Sequence, residues 1–146
     1  MIRRFIALAF LITVLSGGSY AHGDIYRTAD QTSADPKADL AEEESAEREM
    51  AVGRFYVKKR DYTGAINRFK IVVTHYPNSV RVDEALGLLV ETYLALGIPL
   101  EAQTAAAVLN RKYPNSGWSR VADELLKSAG LEPTEEENSW ISHAFK

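Results

Sequence analysis

At 146 residues the chain has room for one small domain with appendages. It contains no cysteine, which excludes a disulfide framework and a thiolate metal site and leaves the redox compartment open. A formal charge of −3 argues against nucleic acid as a partner, because phosphate binding needs a basic surface.

Met1–Ala21 reads as a signal peptide. Arg3 and Arg4 form a positive start, and Phe5–Leu15 is an apolar run of 11 residues, too short for a permanent bilayer anchor. Ser19-Tyr20-Ala21 offers a small-x-small cleavage site, so the mature chain is expected to begin at His22 in the periplasm. Leu15-Ser16-Gly17-Gly18 has the form of a bacterial lipobox with Gly18 where the acylated cysteine should stand. Two readings remain open: a chance match in a Ser/Gly-rich cleavage region, or a lipobox that has lost its cysteine. Under either, a lipid anchor at this site is in doubt and a soluble periplasmic product is expected, with peripheral attachment to the outer membrane left open.

Residues 22–44 read as a disordered acidic linker. The stretch is rich in Asp, Glu, Ala, Ser and Thr, contains Pro36 and has scattered apolar residues only, too few to offset the entropy of ordering it. Glu42-Glu43-Glu44 leads into a first helix running from about Ser45 to Lys59, where negative charge near the N-terminus is favourable.

Residues 45–130 carry the organising pattern. Gly53, Tyr56, Ala65, Phe69, Val72 and Pro77 have the spacing of the 34-residue tetratricopeptide repeat, which this stretch resembles, although Glu49 stands in place of the usual Trp. Small residues at 53 and 65 let two antiparallel helices cross closely, Tyr56 and Phe69 fill the space between them, and Pro77 stops the second helix. Tyr93, Ala102, Leu109 and Pro114 follow 37 residues after Tyr56, Ala65, Val72 and Pro77, and YPNS recurs at 76–79 and 113–116. Asp61, Ser79 and Ser116 are expected to cap the second, third and fifth helices. Gly97 ends the third, Pro99 opens the fourth, and Gly130 ends a fifth whose inner face reads as Trp118, Val121, Ala122 and Leu125. The expected fold is therefore an all-α antiparallel solenoid of two repeats plus a capping helix.

Residues 131–146 form a tail. Past Pro133 and three glutamates, Ser139 is placed to cap a short amphipathic turn sharing Trp140, Ile141, Ala144 and Phe145 on one face. Such a cluster does not stay in water. It either folds back on the fifth helix near Val121 and Leu125 or anchors a partner.

Three stretches narrow the family. AAAVLNRKYPNSGW (105–118), NSWISHAF (138–145) and REMAVGRFYVKKRDYTGAINRFKIVV (48–73) resemble the carboxy-terminal half of the BamD (ComL) family. That resemblance implies a non-enzymatic periplasmic interaction module of outer-membrane β-barrel assembly, whose protein partners are components of the assembly machinery, above all the periplasmic domains of its insertase. In the family five repeats form a lipid-anchored solenoid whose amino-terminal repeats receive substrate signals. Here two repeats and a last helix match, and an acidic stretch precedes them, so substrate recognition is not implied. A tetratricopeptide scaffold of the Tol–Pal-associated type, and a degenerate BamD paralogue without a maintained role, are the alternatives.

No catalytic or cofactor motif is present: no G-x-S-x-G, H-E-x-x-H, phosphate loop or dinucleotide glycine motif. His22, His75 and His143 are far apart and lack a helically spaced ligand partner, so no metal is expected. In tetratricopeptide domains the first helix of each pair lines a concave groove. Arg54 and Lys58, at i and i+4, share a face there opposite Glu91 and Leu94 and suit an acidic peptide or a terminal carboxylate, with a solvated face or a bridge to Glu91 or Glu47 as the plain alternative. Trp140, Ile141 and Phe145 complete the candidate partner-binding residues.

Overall fold

The computed structural model describes residues 35–146. The expected signal peptide, Gly18 and the linker residues 22–34 lie outside the described residues. Within them the chain forms six helices and no strand: α1 (Pro36–Lys58), α2 (Tyr62–His75), α3 (Val82–Ala95), α4 (Pro99–Lys112), α5 (Gly117–Ser128) and α6 (Trp140–Ala144). The elements α1/α2 and α3/α4 are antiparallel pairs, and α5 stacks on the second pair. The tetratricopeptide-type all-α reading therefore holds.

The first helix begins nine residues earlier than composition suggested, at Pro36 rather than near Ser45. The start signal is local. Asp35 caps by accepting from the Lys37 N–H at 3.0 Å, and Pro36 occupies the first helical position, where its missing N–H costs nothing. The acidic turn is also anchored at a distance, because the Glu43 carboxylate accepts from the Val80 N–H at 3.2 Å.

Within the first pair, Gly53 lies directly against Phe69, and a Cβ there would overlap the Phe69 ring. Phe69, Met50, Ala65, Val72 and Val73 are fully buried around that crossing. Glu49, which replaces the usual Trp, binds Arg68 of α2 at 3.1 Å, so an ion pair links the helices where the repeat pattern has an indole. The central helix is α3. Val82, residues 85–90, Thr92 and Tyr93 are all buried, because α2, α4 and α5 pack on different sides of it. Apolar residues nearly all round a helix are the sequence counterpart of that position.

One capping expectation of the three changes. Asp61 caps α2 through the Gly64 N–H at 2.9 Å, as its position predicts. Ser79 does not cap α3. Its hydroxyl accepts from the Arg81 N–H at 3.0 Å inside a turn, and α3 begins at Val82 with no side-chain cap. The matching Ser116 caps α5 through the Trp118 N–H at 3.1 Å. The buried face of α5 is also turned from the one expected: Ser119, Ala122 and Leu126 face inward with Trp118 and Leu125 beside them, while Val121 is 39% exposed.

Helices α1, α3 and α5 end alike. Asp61 N–H reaches Tyr56 O at 3.0 Å, Ile98 N–H reaches Tyr93 O at 2.9 Å, and Leu131 N–H reaches Leu126 O at 2.9 Å. Each closure needs a left-handed residue just before it, and the three are Arg60 (φ 60°), Gly97 (φ 71°) and Gly130 (φ 72°). Arg60 is the one that bears a side chain. Left-handed backbone costs about 1–2 kcal/mol for such a residue, and glycine's extra unfolded-state entropy takes back part of that. Arg60→Gly should accordingly stabilise the fold by about 0.5–1 kcal/mol in urea melts, and Gly97→Arg should destabilise it by a similar amount. Equal midpoints for wild type and Arg60→Gly would contradict the assignment.

Candidate partner-binding surface

The groove between the first helices of the two pairs is spanned by charge. Arg54 of α1 donates to Glu84 Oε1 of α3 at 2.6 Å and, along its own helix, to Glu47. Arg81, just before α3, approaches Glu47 at 2.7 Å, Glu43 at 3.6 Å and Glu84 at 3.8 Å. The Arg81 Nε–Glu47 contact is close without hydrogen-bond alignment, which leaves both atoms as ion-pair partners only. Burial works against the Arg54 charge, but hydrogen bonds to Glu84 and then Glu47 outweigh it, so its pKa is raised above the ordinary value.

This arrangement redistributes the expected groove residues. Arg54 is engaged by Glu84 and Glu47 rather than Glu91. Lys58 and Glu91 are exposed, and neither forms an ion pair among the described residues. Leu94 is half-buried against the core. Lys58, Glu91 and Leu94 thus remain as one exposed cation, one exposed anion and one half-buried apolar side chain outside a network of two arginines and three glutamates. Sequence reasoning missed Arg81 and Glu43. The signal for Arg81 was the repeat itself, since it stands 37 residues before Trp118, a residue already assigned to an inter-helix face.

Glu84 is the hub, with a side chain only 15% exposed between two guanidinium groups. Glu84→Ala should cost about 1–3 kcal/mol, as expected when a partly buried charged hydrogen bond loses its acceptor. Part of the loss should disappear in 1 M NaCl, which screens the remaining charges. Urea melts of the variant at low and high salt check this, and a salt-independent loss would show that shape rather than charge governs the site.

The tail forms a second surface. It folds back on the chain, but onto α4, with α5 playing no comparable part. Residues 132–136 run along α4. Gln103 Nε2 donates to Glu132 O at 2.8 Å, Glu136 N–H to the Thr104 hydroxyl at 3.1 Å, and Arg111 to Glu135 at 2.9 Å. Thr104 and Val108, one turn apart on that side of α4, are fully buried. Ser139 caps α6 through the Ile141 N–H, and its hydroxyl donates to Glu101 at 2.6 Å.

Ile141 is fully buried, whereas Trp140 and Phe145 keep part of their surface. The Trp140 indole N–H donates to the Tyr93 hydroxyl at 2.9 Å, and Lys70 Nζ of α2 lies 4.8 Å from the centre of its ring. Lys112 Nζ stands 5.9 Å from the centre of the Phe145 ring. The expected contact with Val121 is replaced because α4 presents both a groove and matched polar groups, while Val121 faces solvent.

Burial raises the Tyr93 phenol pKa, the Trp140 bond opposes the shift, and the nearby Glu101 charge adds to it. The neutral phenol is therefore favoured by folding. Its contribution is intact below about pH 10, where the unfolded phenol ionises, and is lost as pH rises through the higher folded value. Trp140→Ala should destabilise by about 2–3 kcal/mol. Tyr93→Phe should cost about 1 kcal/mol at neutral pH and lessen the alkaline loss. Thermal melts at pH 7 and pH 10.5 read both, and a Trp140→Ala melt equal to wild type would detach the tail from the fold.

Comparison with known proteins places this architecture. The family model described as "YfiO: Outer membrane lipoprotein" matches residues 31–109, more than half of the chain. The chain is similar to the outer membrane protein assembly factor BamD of Rickettsia prowazekii, 44% identical over 92 residues, which cover 63% of this chain and 37% of that protein. It is 39% identical over 105 residues to the BamD of Caulobacter vibrioides, covering 72% of this chain and 34% of the relative. The BamD of Neisseria meningitidis serogroup A is 37% identical over 68 residues. The chain spans about a third of the length of the first two relatives. No solved structure matches significantly. Among the described residues, no helix is long and apolar enough to cross a membrane.

Proposed function

Because the chain belongs to the YfiO outer membrane lipoprotein family, we propose that it is a non-enzymatic, periplasmic protein-interaction module of outer-membrane β-barrel assembly. The observation that supports this most directly is the match of the helix pairs to relatives named outer membrane protein assembly factor BamD. A solenoid of antiparallel pairs presents side chains from successive first helices on one continuous face, which suits it to hold an extended or helical segment of another protein.

In this reading the groove at Lys58, Glu91 and Leu94 contacts a periplasmic domain of the barrel-forming insertase. Lys58 and Glu91 supply long-range attraction and register, and Leu94 supplies a small apolar contact. The Arg54–Glu84–Arg81 network contributes by fixing the spacing of α1 and α3 rather than by binding directly. The exposed edges of Trp140 and Phe145 offer a separate aromatic contact on the tail.

The test is affinity purification of the tagged full chain from envelope extracts. Recovery of the barrel insertase is expected, and Lys58→Glu with Glu91→Lys should reduce it by about tenfold, equivalent to about 1.4 kcal/mol, without changing the melting temperature. Recovery of Tol–Pal components without the insertase would replace this reading, and recovery of neither would remove it.

A further inference from the structure

The face of α1 opposite Ala46, Met50 and Gly53 has no cover among the described residues. Phe55 is 54% exposed, Val52 38%, and Ala51 is exposed beside them. At helical spacing the stripe reads Glu44, Arg48, Ala51/Val52, Phe55, Lys59, about 22 Å from end to end at 1.5 Å per residue. Within the chain its charges have local partners only. Arg48 lies 3.9 Å from Glu44 and donates to the Ser45 hydroxyl at 2.7 Å, and Lys59 Nζ lies 5.6 Å from the centre of the Phe55 ring.

We propose that this stripe is a self-association surface whose occupant is a second copy of the same helix, packed antiparallel about a two-fold axis between Ala51 and Val52. A two-fold contact requires that when residue i meets residue j, j also meets i. With the axis at that point, Glu44 falls opposite Lys59 of the other copy, Arg48 opposite Phe55, and Ala51 opposite Val52. Each ion pair and each cation–aromatic contact then occurs twice, and small side chains at the centre let the helices approach. The order acid, base, small, aromatic, base is complementary to itself read backwards in this register. A parallel copy would instead set Glu44 against Glu44 and Lys59 against Lys59.

The proposal does not depend on the assembly role, because its readout is the oligomeric state of the purified chain. One helix face meeting another is a small interface, so a dimer in the range of about 10–100 µM is expected.

Sedimentation equilibrium of the full chain tests this. Phe55→Ala should weaken association at least about tenfold with an unchanged melting curve, since the ring is more than half exposed. Glu44→Lys alone and Lys59→Glu alone should each weaken it, and the two together should restore it to within about threefold of wild type. A chain that stays monomeric to about 500 µM overturns the proposal, including one whose Phe55 face captures another envelope protein instead. A dimer indifferent to Phe55→Ala, or a charge-swapped double variant that fails to recover, overturns it as well.

Discussion

Trp118 rests on Gly87, and much of the second half of the chain follows from that contact. A Cβ on Gly87 would come within 2.6 Å of Trp118 Cε3, so only a residue without a side chain lets α5 settle this close to α3. With α5 in place, Ala122 and Leu126 close the far side of α3, and Ser119 donates to Tyr113 O at 2.7 Å to fix the preceding turn. The Asp83 carboxylate accepts from the Ser116 hydroxyl at 2.6 Å, so the cap of α5 is itself tied to the start of α3. Packing one half-buried indole over one glycine thus sets how closely the third unit joins the second.

The corresponding junction between the first and second units is built from different chemistry. The positions 37 residues earlier hold Met50 for Gly87 and Arg81 for Trp118. Met50 fills its own space and is fully buried, so nothing can settle onto α1 as Trp118 does onto α3. Arg81 turns instead to Glu47 and Glu43, and α1 and α3 approach each other less closely than α3 and α5. One end of the groove is therefore set by apolar contact, which is insensitive to salt, and the other by partly exposed ion pairs, which are not.

The repeat spacing made the helix pairs, the left-handed closure at Gly97, the Asp61 and Ser116 caps and the Gly53–Phe69 crossing legible in the sequence, because each depends on residues within one unit. One local signal, the Asp35-Pro36 helix start, went unread, and what depended on partners from another unit was not legible. Residues 36–44 looked disordered because they are polar and acidic, yet Asp35-Pro36 starts a helix and Glu43 finds Val80 across the turn. The tail was legible as a capped amphipathic turn. Its destination was not, since the polar groups that receive it (Gln103, Thr104, Arg111) look like ordinary surface residues of α4. Arg54 and Lys58 do share a stretch of α1, but Glu84 separates their fates by engaging one of them.

The described helices amount to fewer than three full repeats, which leaves a large share of their core near the last helix pair, and the tail packs there. Residues 132–136 lay backbone groups against α4, Ile141 enters the core, and the Trp140 indole is satisfied by Tyr93, a residue already buried in α3. The aromatic position that fills the helix crossing in the repeat pattern thus does a second task, offering its hydroxyl to the tail. Tyr56, its counterpart in the first unit, receives no such segment among the described residues, and the outer face of α1 keeps Phe55 and Val52 in water. The two faces differ in their chemistry: the tail brings an indole donor to the Tyr93 hydroxyl, whereas the outer face of α1 carries mainly apolar and charged side chains, a composition suited to contact with another helix rather than with extended backbone.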